Sequence, residues 1–245
     1  MNLFKIILQN IYIKFLFINK FFFTKKNFGS HYCYLNFYFK FYDVEKWINN
    51  HKVYDSLKIK KKIIFFDVGA HVGLVQLLLL KKLKNSKKFL FEPNNINFKF
   101  LKINLQKNNI KNTLFYNVGL SKNIGFANFG QTKTVSAVSM IGDTGKSKVR
   151  TLNLDYFYKK NIIPDIIKID VEGHEFRLLQ GAKLMLKYHN PVLILSIHQK
   201  NLKNNNISLI KLNNYLSQYS YNIKNSDLIK LKKCKNMEVV LIKKK

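Results

Sequence analysis

The period of apolar positions changes repeatedly along this chain. Ile63 to Phe66 is a short unbroken apolar run that ends at Asp67. After the turn Val68-Gly69-Ala70-His71-Val72-Gly73 the apolar spacing becomes helical, through Leu74, Leu77, Leu78 and Leu83. A brief apolar run, a glycine turn and then a helix is the pattern of a buried parallel strand feeding a βα unit. The pattern recurs. Residues 88–92 form the next strand, followed by a helix from about Asn95 to Lys107 with Phe98, Leu101 and Leu105 on one face. A third strand runs from Thr113 to Val118 and ends at Gly119. A fourth, Asp165–Asp170, leads into a helix carrying Leu178, Leu179, Ala182 and Leu186. Pro191 opens a fifth, Val192–Ile197, which ends at His198, and a helix from about Ile207 to Gln218 follows. Tyr221–Ile223 and Glu238–Ile242 are expected to pair as an antiparallel hairpin at the sheet edge. Strands alternating with helices imply a mostly parallel sheet covered on both faces.

Two stretches depart from this rhythm. Residues 121–153 hold four glycines, several Ser and Thr, and short β-like pieces at Gly125–Phe129, Val135–Met140 and Lys148–Leu152. They predict an excursion with a hairpin and a loop of the kind that often carries substrate contacts. Asp155 is expected to cap a short helix reaching Lys160. Residues 3–23 are apolar but interrupted by Lys5, Lys14 and Lys20. That is too broken for a membrane span, and no small-residue cleavage site follows. An amphipathic helix packed on the domain is preferred over one lying on an anionic membrane. One or two strands are expected in Gly29–Tyr42, and a short helix capped by Asp43. The division is therefore an N-terminal extension, 1–60, and an α/β domain, 61–245, without internal repeats.

Composition adds one unusual number, a formal net charge of +30. All but two of the forty-three basic residues are Lys, the exceptions being Arg150 and Arg177. Specific phosphate and base recognition leans on the planar fork of Arg, so most of this charge is assigned to solvated faces. Attraction to polyanions is the lesser alternative. Cys33 and Cys234 lack metal-type spacing and are expected to be free thiols in a reducing, cytoplasmic compartment.

Ligands of parallel α/β sheets bind beyond the carboxyl ends of the strands. That rule gathers Asp67 to Gly73, Glu92, Gly119, Asp170 to His174 and His198. The turn Asp67-x-Gly69-x-x-x-Gly73 is not the dinucleotide fingerprint, whose glycines press a pyrophosphate against a helix N-terminus. A carboxylate in first place suits a cationic or hydroxyl-bearing ligand. S-adenosylmethionine, with an ammonium, a sulfonium and no phosphate, fits better than a nicotinamide dinucleotide. An incidental acid in a tight turn would explain this motif alone equally well. Glu92 shifts the balance: it ends the second strand nineteen residues after Gly73, where nucleotide-binding folds place the acid that accepts ribose hydroxyls. Pro93 then turns the chain away from the strand.

Together, Asp67-Val-Gly-Ala-His-Val-Gly73, Phe91-Glu92-Pro93, Leu101-x-x-Asn104 and Ile167-Lys-Ile-Asp-Val-Glu-Gly-His-Glu175 resemble the FkbM-type methyltransferases. Leu178-Leu179-x-Gly181 and Pro191 to His198 extend the resemblance, which covers about residues 43 to 225. It implies the class I methyltransferase fold, a Rossmann-like sandwich with a seven-stranded, mostly parallel sheet whose last strand is antiparallel. It also implies S-adenosyl-L-methionine as cofactor and methylation of hydroxyl groups on sugars or polyketide-like metabolites. The cofactor residues are then Asp67, Gly69, Ala70, His71, Gly73, Glu92, Pro93 and Val118. One departure stands out: the family commonly has a Glu two residues before the fifth-strand His, where this chain has Ser196.

Methyl transfer to oxygen needs alignment of the reactants and removal of a hydroxyl proton. Asp170, Glu172 and His174 are the catalytic candidates. Either His174 or Asp170 is expected as base, and Glu172 as a ligand of substrate or cofactor. Asp170 as a loop-ordering carboxylate and His198 as a satisfied core histidine are the plainer alternatives. Glu175 is expected to cap its helix, and His71 to order the glycine loop. No metal is expected; an ion on Asp170 and its neighbours is the weaker reading, since Ser196 removes one oxygen ligand. The expected activity is an O-methyltransferase acting on a sugar, glycan or small metabolite, with peripheral contact to an anionic membrane left open. A nucleic-acid methyltransferase is disfavoured, because Asp170-Val-Glu-Gly replaces the N/D-P-P-Y/F pattern of amino-methylating DNA enzymes. A degenerate binding module of the same fold is the third reading.

Overall fold

The computed structural model describes residues 62–79, 82–130, 140–141, 147–234 and 236–243. The extension expected over residues 1–60, with its helices and strands, lies outside the described residues. In chain order the elements are β1 (Ile64–Val68), α1 (Leu74–Leu78), β2 (Lys87–Phe91), α2 (Asn95–Lys107), β3 (Thr113–Tyr116), β4 (Gly119–Leu120), β5 (Gly125–Gly130), β6 (Met140–Ile141) and β7 (Ser147–Leu152). Then come α3 (Leu154–Lys159), β8 (Ile166–Ile169), α4 (Glu175–Gln180), α5 (Lys183–Tyr188), β9 (Val192–His198), α6 (Gln199–Asn204), α7 (Leu209–Ser217), α8 (Asn225–Lys233) and β10 (Asn236–Leu241).

The apolar run of β1 is buried because it has a parallel neighbour on each side, β2 and β8, and helices above and below. The main sheet has the order β10-β9-β8-β1-β2-β3, parallel except for β10, which runs antiparallel to β9. Six strands are thus found among the described residues where seven were expected, and the antiparallel last strand is present. The expected hairpin is not. Tyr221 is a buried core residue whose hydroxyl donates to the Pro191 carbonyl at 2.7 Å, and α8 then carries the chain to β10. A short apolar piece does not separate a strand from an irregular segment folded into the core, and here Tyr221 and Ile223 both point inward.

Strand registers sort the side chains by face. Phe66, Val68, Phe89, Phe91, Ile167, Ile169, Leu193 and Leu195 share one face and belong to the largest core cluster. Phe157 packs edge-on against Phe66 there. The other face carries Phe65, Ile166 and Ile194, under Val75 and Leu79. Farther along the same strands this face turns polar, with Asp67, Lys168, Ser196 and His198. The site is built on that polar margin.

The 121–153 excursion forms its own sheet, β4-β7-β5-β6, with β5 and β7 antiparallel as the hairpin reading requires. Residues 131–139 and 142–146, including most of the expected Val135–Met140 piece, are outside the described residues. Helix ends follow local chemistry. Asn94 caps α2 by accepting from Ile96 N and Asn97 N. Asn153, not Asp155, caps α3. Asp155 instead accepts from Leu184 N and Met185 N at the start of α5.

The glycine turn is fastened to both neighbouring strands. Gly69 N and Ala70 N each donate to the Phe91 carbonyl at 3.0 Å, at the end of β2. Gly69 has φ +76°, and a Cβ there would overlap the Asp170 carbonyl oxygen past β8. Gly73, at φ +91°, sits on Leu105 and Leu101 of α2. Gly69→Ala therefore combines a left-handed backbone with a backbone collision. It is expected to lower stability by about 3 kcal/mol or more, read as a reduced urea midpoint.

Candidate functional site

Asp67 and Lys168 are register partners on adjacent strands, so their side chains leave the sheet on the same face. Both are buried, with Lys168 Nζ 3.1 Å from Asp67 Oδ1. The other carboxylate oxygen accepts from Gln76 Nε2 at 2.8 Å. Lys168 also donates to the Gly69 carbonyl at 2.8 Å and stands 3.7 Å from Asp170 Oδ2. Burial alone would lower the Lys168 pKa, but the surrounding carboxylates, Asp67 first, reverse that and hold it above its ordinary value. Asp67 lies at the expected strand tip, next to Glu92's strand, with its carboxylate already engaged by two internal partners.

Glu92 follows β2 and folds back over the glycine turn. Its Oε2 accepts from His71 N at 2.9 Å and its Oε1 from Asn94 N at 2.8 Å. A carboxylate offers about four lone-pair positions; the two backbone donors and the Asn97 side chain occupy three of them. Burial pushes the Glu92 carboxyl up to about 7, against the opposing hydrogen bonds from Asn94 and His71. His71 orders the turn through its backbone, at φ 51°, and burial lowers its imidazole to about 4. Asn117 Nδ2 braces the segment by donating to the Glu92 carbonyl at 2.8 Å. Asn104 Nδ2 ties α2 to the turn through the Val72 carbonyl.

A second group forms past β8 and β9. His198 Nε2 is 3.5 Å from Asp170 Oδ1 and 3.5 Å from Glu172 Oε1. His198 Nδ1 is 2.8 Å from Glu175 Oε1, which also accepts from Gly173 N. Glu175 stands in the first turn of its helix but does not cap it, since the N-cap is His174 without a side-chain cap bond; its carboxylate instead ties the preceding Gly173 N to His198. Burial would lower the His198 pKa, but the Glu175 hydrogen bond and the Asp170 and Glu172 charges raise it to about 9. Burial raises Glu172 to about 7, with His198 opposing. Asp170, Glu172 and His198 each present one potential ligand atom within 4.8 Å of the others, close enough for one ion to meet all three.

His174 stands apart from this group in its contacts: its Nε2 is 2.9 Å from Ser121 Oγ, just after β4. Gly173, at φ +98°, separates it from Glu172, and the two side chains take different partners. Ala70 is buried against Leu90, Leu101 and Leu105. Pro93 lies in the turn after Glu92, and Val118 packs in the main core. Ser196 Oγ donates to Glu238 Oε1 at 3.0 Å, because Glu238 is its register partner on β10. A carboxylate therefore does stand beside the position where the family's Glu is absent, supplied by the next strand. Lys168, Gln76, Glu238 and Asn201 were not singled out in the sequence. Lys168 carried a readable signal, a charge inside an apolar parallel strand two residues before Asp170.

A cavity of about 250 Å³ lies at the opposite, amino-terminal edge of the strands, lined by Lys88, Asn109 and Asn112 among others. It touches neither Glu92 nor the Asp170 group. Among the described residues no helix is long and apolar enough to cross a membrane.

A central βα glycine turn, an acid after the second strand and an antiparallel last strand define a class I methyltransferase fold, with S-adenosylmethionine as its cofactor. Residues 67–223 match the "Methyltransferase FkbM domain", and the chain belongs to that family. No curated protein sequence matches it. Among solved structures it is similar to a precorrin-6y C5,15-methyltransferase from Geobacter metallireducens GS-15, at 14% identity, covering 70% of each chain, with a TM-score of 0.45. It is also similar to M. jannaschii TYW2 in complex with AdoMet, at 11% identity over 87% of this chain and 81% of that one, TM-score 0.47. A third is a Methanococcus jannaschii fibrillarin pre-rRNA processing protein, at 12% identity over 76% and 68%, TM-score 0.46.

Breaking the Asp67–Lys168 pair from one side leaves a buried charge without its partner. Lys168→Met is expected to cost about 3–5 kcal/mol. Asp67→Asn combined with Lys168→Met is expected to recover most of that loss, as measured by urea denaturation of the singles and the double.

Proposed function

We propose that this methyltransferase acts on oxygen, transferring a methyl group to a hydroxyl of a sugar, glycan or small metabolite. The observation that carries the reading is the arrangement along one edge. The glycine turn of β1 lies between Glu92 on one side and the Asp170, Glu172 and His198 group on the other. The fit of the donor rests on charge and acceptor capacity. Glu92 keeps about one lone-pair position for a ribose hydroxyl, and an edge rich in carboxylates attracts a cationic ligand. Glu92, Gly69, Ala70, His71, Gly73 and Pro93 are the residues assigned to holding it, with Asp67 fixing the turn from beneath. When bound, S-adenosylmethionine supplies a methyl group already activated by a positively charged sulfur.

The remaining work belongs to this chain's side chains. The acceptor hydroxyl must be oriented and relieved of its proton, and a base with a pKa near the operating pH does this best. Glu172, raised to about 7 and a quarter exposed, meets that condition. Asp170 is its neighbour in the same group. His174, held against Ser121, is better placed to fix the start of α4 against the excursion than to reach the acceptor.

The Glu92 reading has a defined pH signature. Ribose hydroxyls donate to the ionised carboxylate, so donor binding favours that form. With a raised pKa of about 7, affinity should be constant above that pH and fall about tenfold per unit below it. Calorimetry with S-adenosylmethionine between pH 5.5 and 8.5, using about half-unit steps, measures this. Glu92→Gln should bind more weakly and lose the dependence; an unchanged slope in that variant would remove Glu92 from the site. The acceptor class is tested by labelled methyl uptake into a panel of sugars, glycans and RNA. Incorporation into a hydroxylated sugar is expected. The net charge of +30 makes RNA the competing acceptor, and uptake into RNA alone would overturn the sugar reading.

A further inference from the structure

We infer that Asp170, Glu172 and His198 form a binding site for one divalent cation of the hard or borderline class, such as Mg²⁺ or Mn²⁺. Each of the three residues offers one atom to a common point and has its other polar atom committed elsewhere. Asp170 turns Oδ2 toward Lys168 and Oδ1 toward His198. Glu172 has Oε2 within 3.4 Å of Asn201 Nδ2, while Oε1 faces His198. His198 has Nδ1 against Glu175, while Nε2 faces both carboxylates.

The histidine is the independent observation. It is 6% exposed, and its Nε2 stands 3.5 Å from a carboxylate oxygen of Asp170 and 3.5 Å from one of Glu172, so a bound cation takes the place of the proton that those two carboxylates face. Its ring is held by Glu175, which is fully buried. A buried carboxylate on the far nitrogen of a histidine is the outer-shell arrangement that orients metal-ligating imidazoles and raises their basicity. The spacing also fits. Two cis ligands about 2.1 Å from an octahedral ion stand about 3.0 Å apart, so the observed 3.5 Å separations need to close by only about half an ångström on binding.

Charge balance points the same way. Asp67, Asp170, Glu172, Glu175 and Glu238 surround Lys168 and His198 on this face. Among the described residues these five carboxylates outnumber the two cationic side chains they surround, an excess that a divalent cation would offset. Glu172 itself holds a left-handed backbone at φ 53°, braced by Asn201 on its carbonyl at 3.2 Å. Remaining coordination positions would take water or an acceptor hydroxyl; with the ion bound, Glu172 is a ligand and no longer the base, and the cation polarises the hydroxyl toward the alkoxide. That catalytic role rests on the methyl-transfer reading above; the binding site does not.

The test is a titration of the metal-stripped full chain with Mn²⁺, followed by electron paramagnetic resonance. One Mn²⁺ per chain is expected, with nitrogen hyperfine coupling from His198 in the wild-type protein. Affinity should fall at least about tenfold in Asp170→Asn and Glu172→Gln, and about tenfold in Glu175→Gln. Asp227→Asn, in the first turn of α8, should leave it unchanged. Absence of a stoichiometric site, absence of nitrogen coupling, or affinity indifferent to Asp170→Asn and Glu172→Gln would overturn the inference. A parallel titration with S-adenosylmethionine separates the two claims. Donor binding without Mn²⁺ binding removes the cation site alone, and Mn²⁺ binding without donor binding sustains it while removing the methyl-transfer reading.

Discussion

The ion pair between Asp67 and Lys168 sets the geometry on which the site depends. A buried pair of this kind contributes little net stability, because desolvation offsets most of the attraction, but it is costly to break from one side. What it supplies here is position. One ammonium group meets the β1 carboxylate, the carbonyl of the glycine turn and the carboxylate past β8. The close approach of Gly69 to the Asp170 backbone needs both a glycine and strand tips held at that spacing. The half of the edge beside Glu92 and the half beside His198 are therefore fixed relative to each other before any ligand arrives.

Much of this was legible in the sequence, for reasons particular to each residue. The parallel strands announced themselves as short apolar runs with sharp polar or glycine ends, and β1, β2, β8 and β9 fall within a residue or so of the expected bounds. The limits of α2 coincide with the expected ones because Asn94 is a strong side-chain cap. Glu92 was recoverable because it combines a strand end with a spacing. Partners that depend on pairing between distant strands were not recoverable. Glu238 reaches Ser196 only through the antiparallel register of β10 on β9, and nothing local to either residue encodes that register. Asp155 sits at the start of one helix and serves another. His174 lies within a motif yet turns to Ser121, because the left-handed glycine beside it redirects the chain.

Ser196 illustrates how a site can keep a charge while losing a residue. The serine hydroxyl donates to Glu238, so a carboxylate stands beside the vacated position although the strand that carries it has changed. The electrostatic environment of Lys168 includes that group. The departure from the family pattern is therefore weaker evidence for a degenerate module than the sequence alone suggests. Among the described residues, Lys168 is the ammonium that faces the acids of this edge.

The central claim is that the ligand edge is the carboxyl end of the parallel strands, not the amino-terminal edge that holds the cavity near Asn109. Ultraviolet cross-linking of methyl-labelled S-adenosylmethionine, followed by peptide mapping, tests it most directly. Label is predicted in the segments just past β1 and β2, from Gly69 to Asn97, and should be displaced by excess S-adenosylhomocysteine. Label concentrated between Asn108 and Leu114, or indifferent to the competitor, would contradict it.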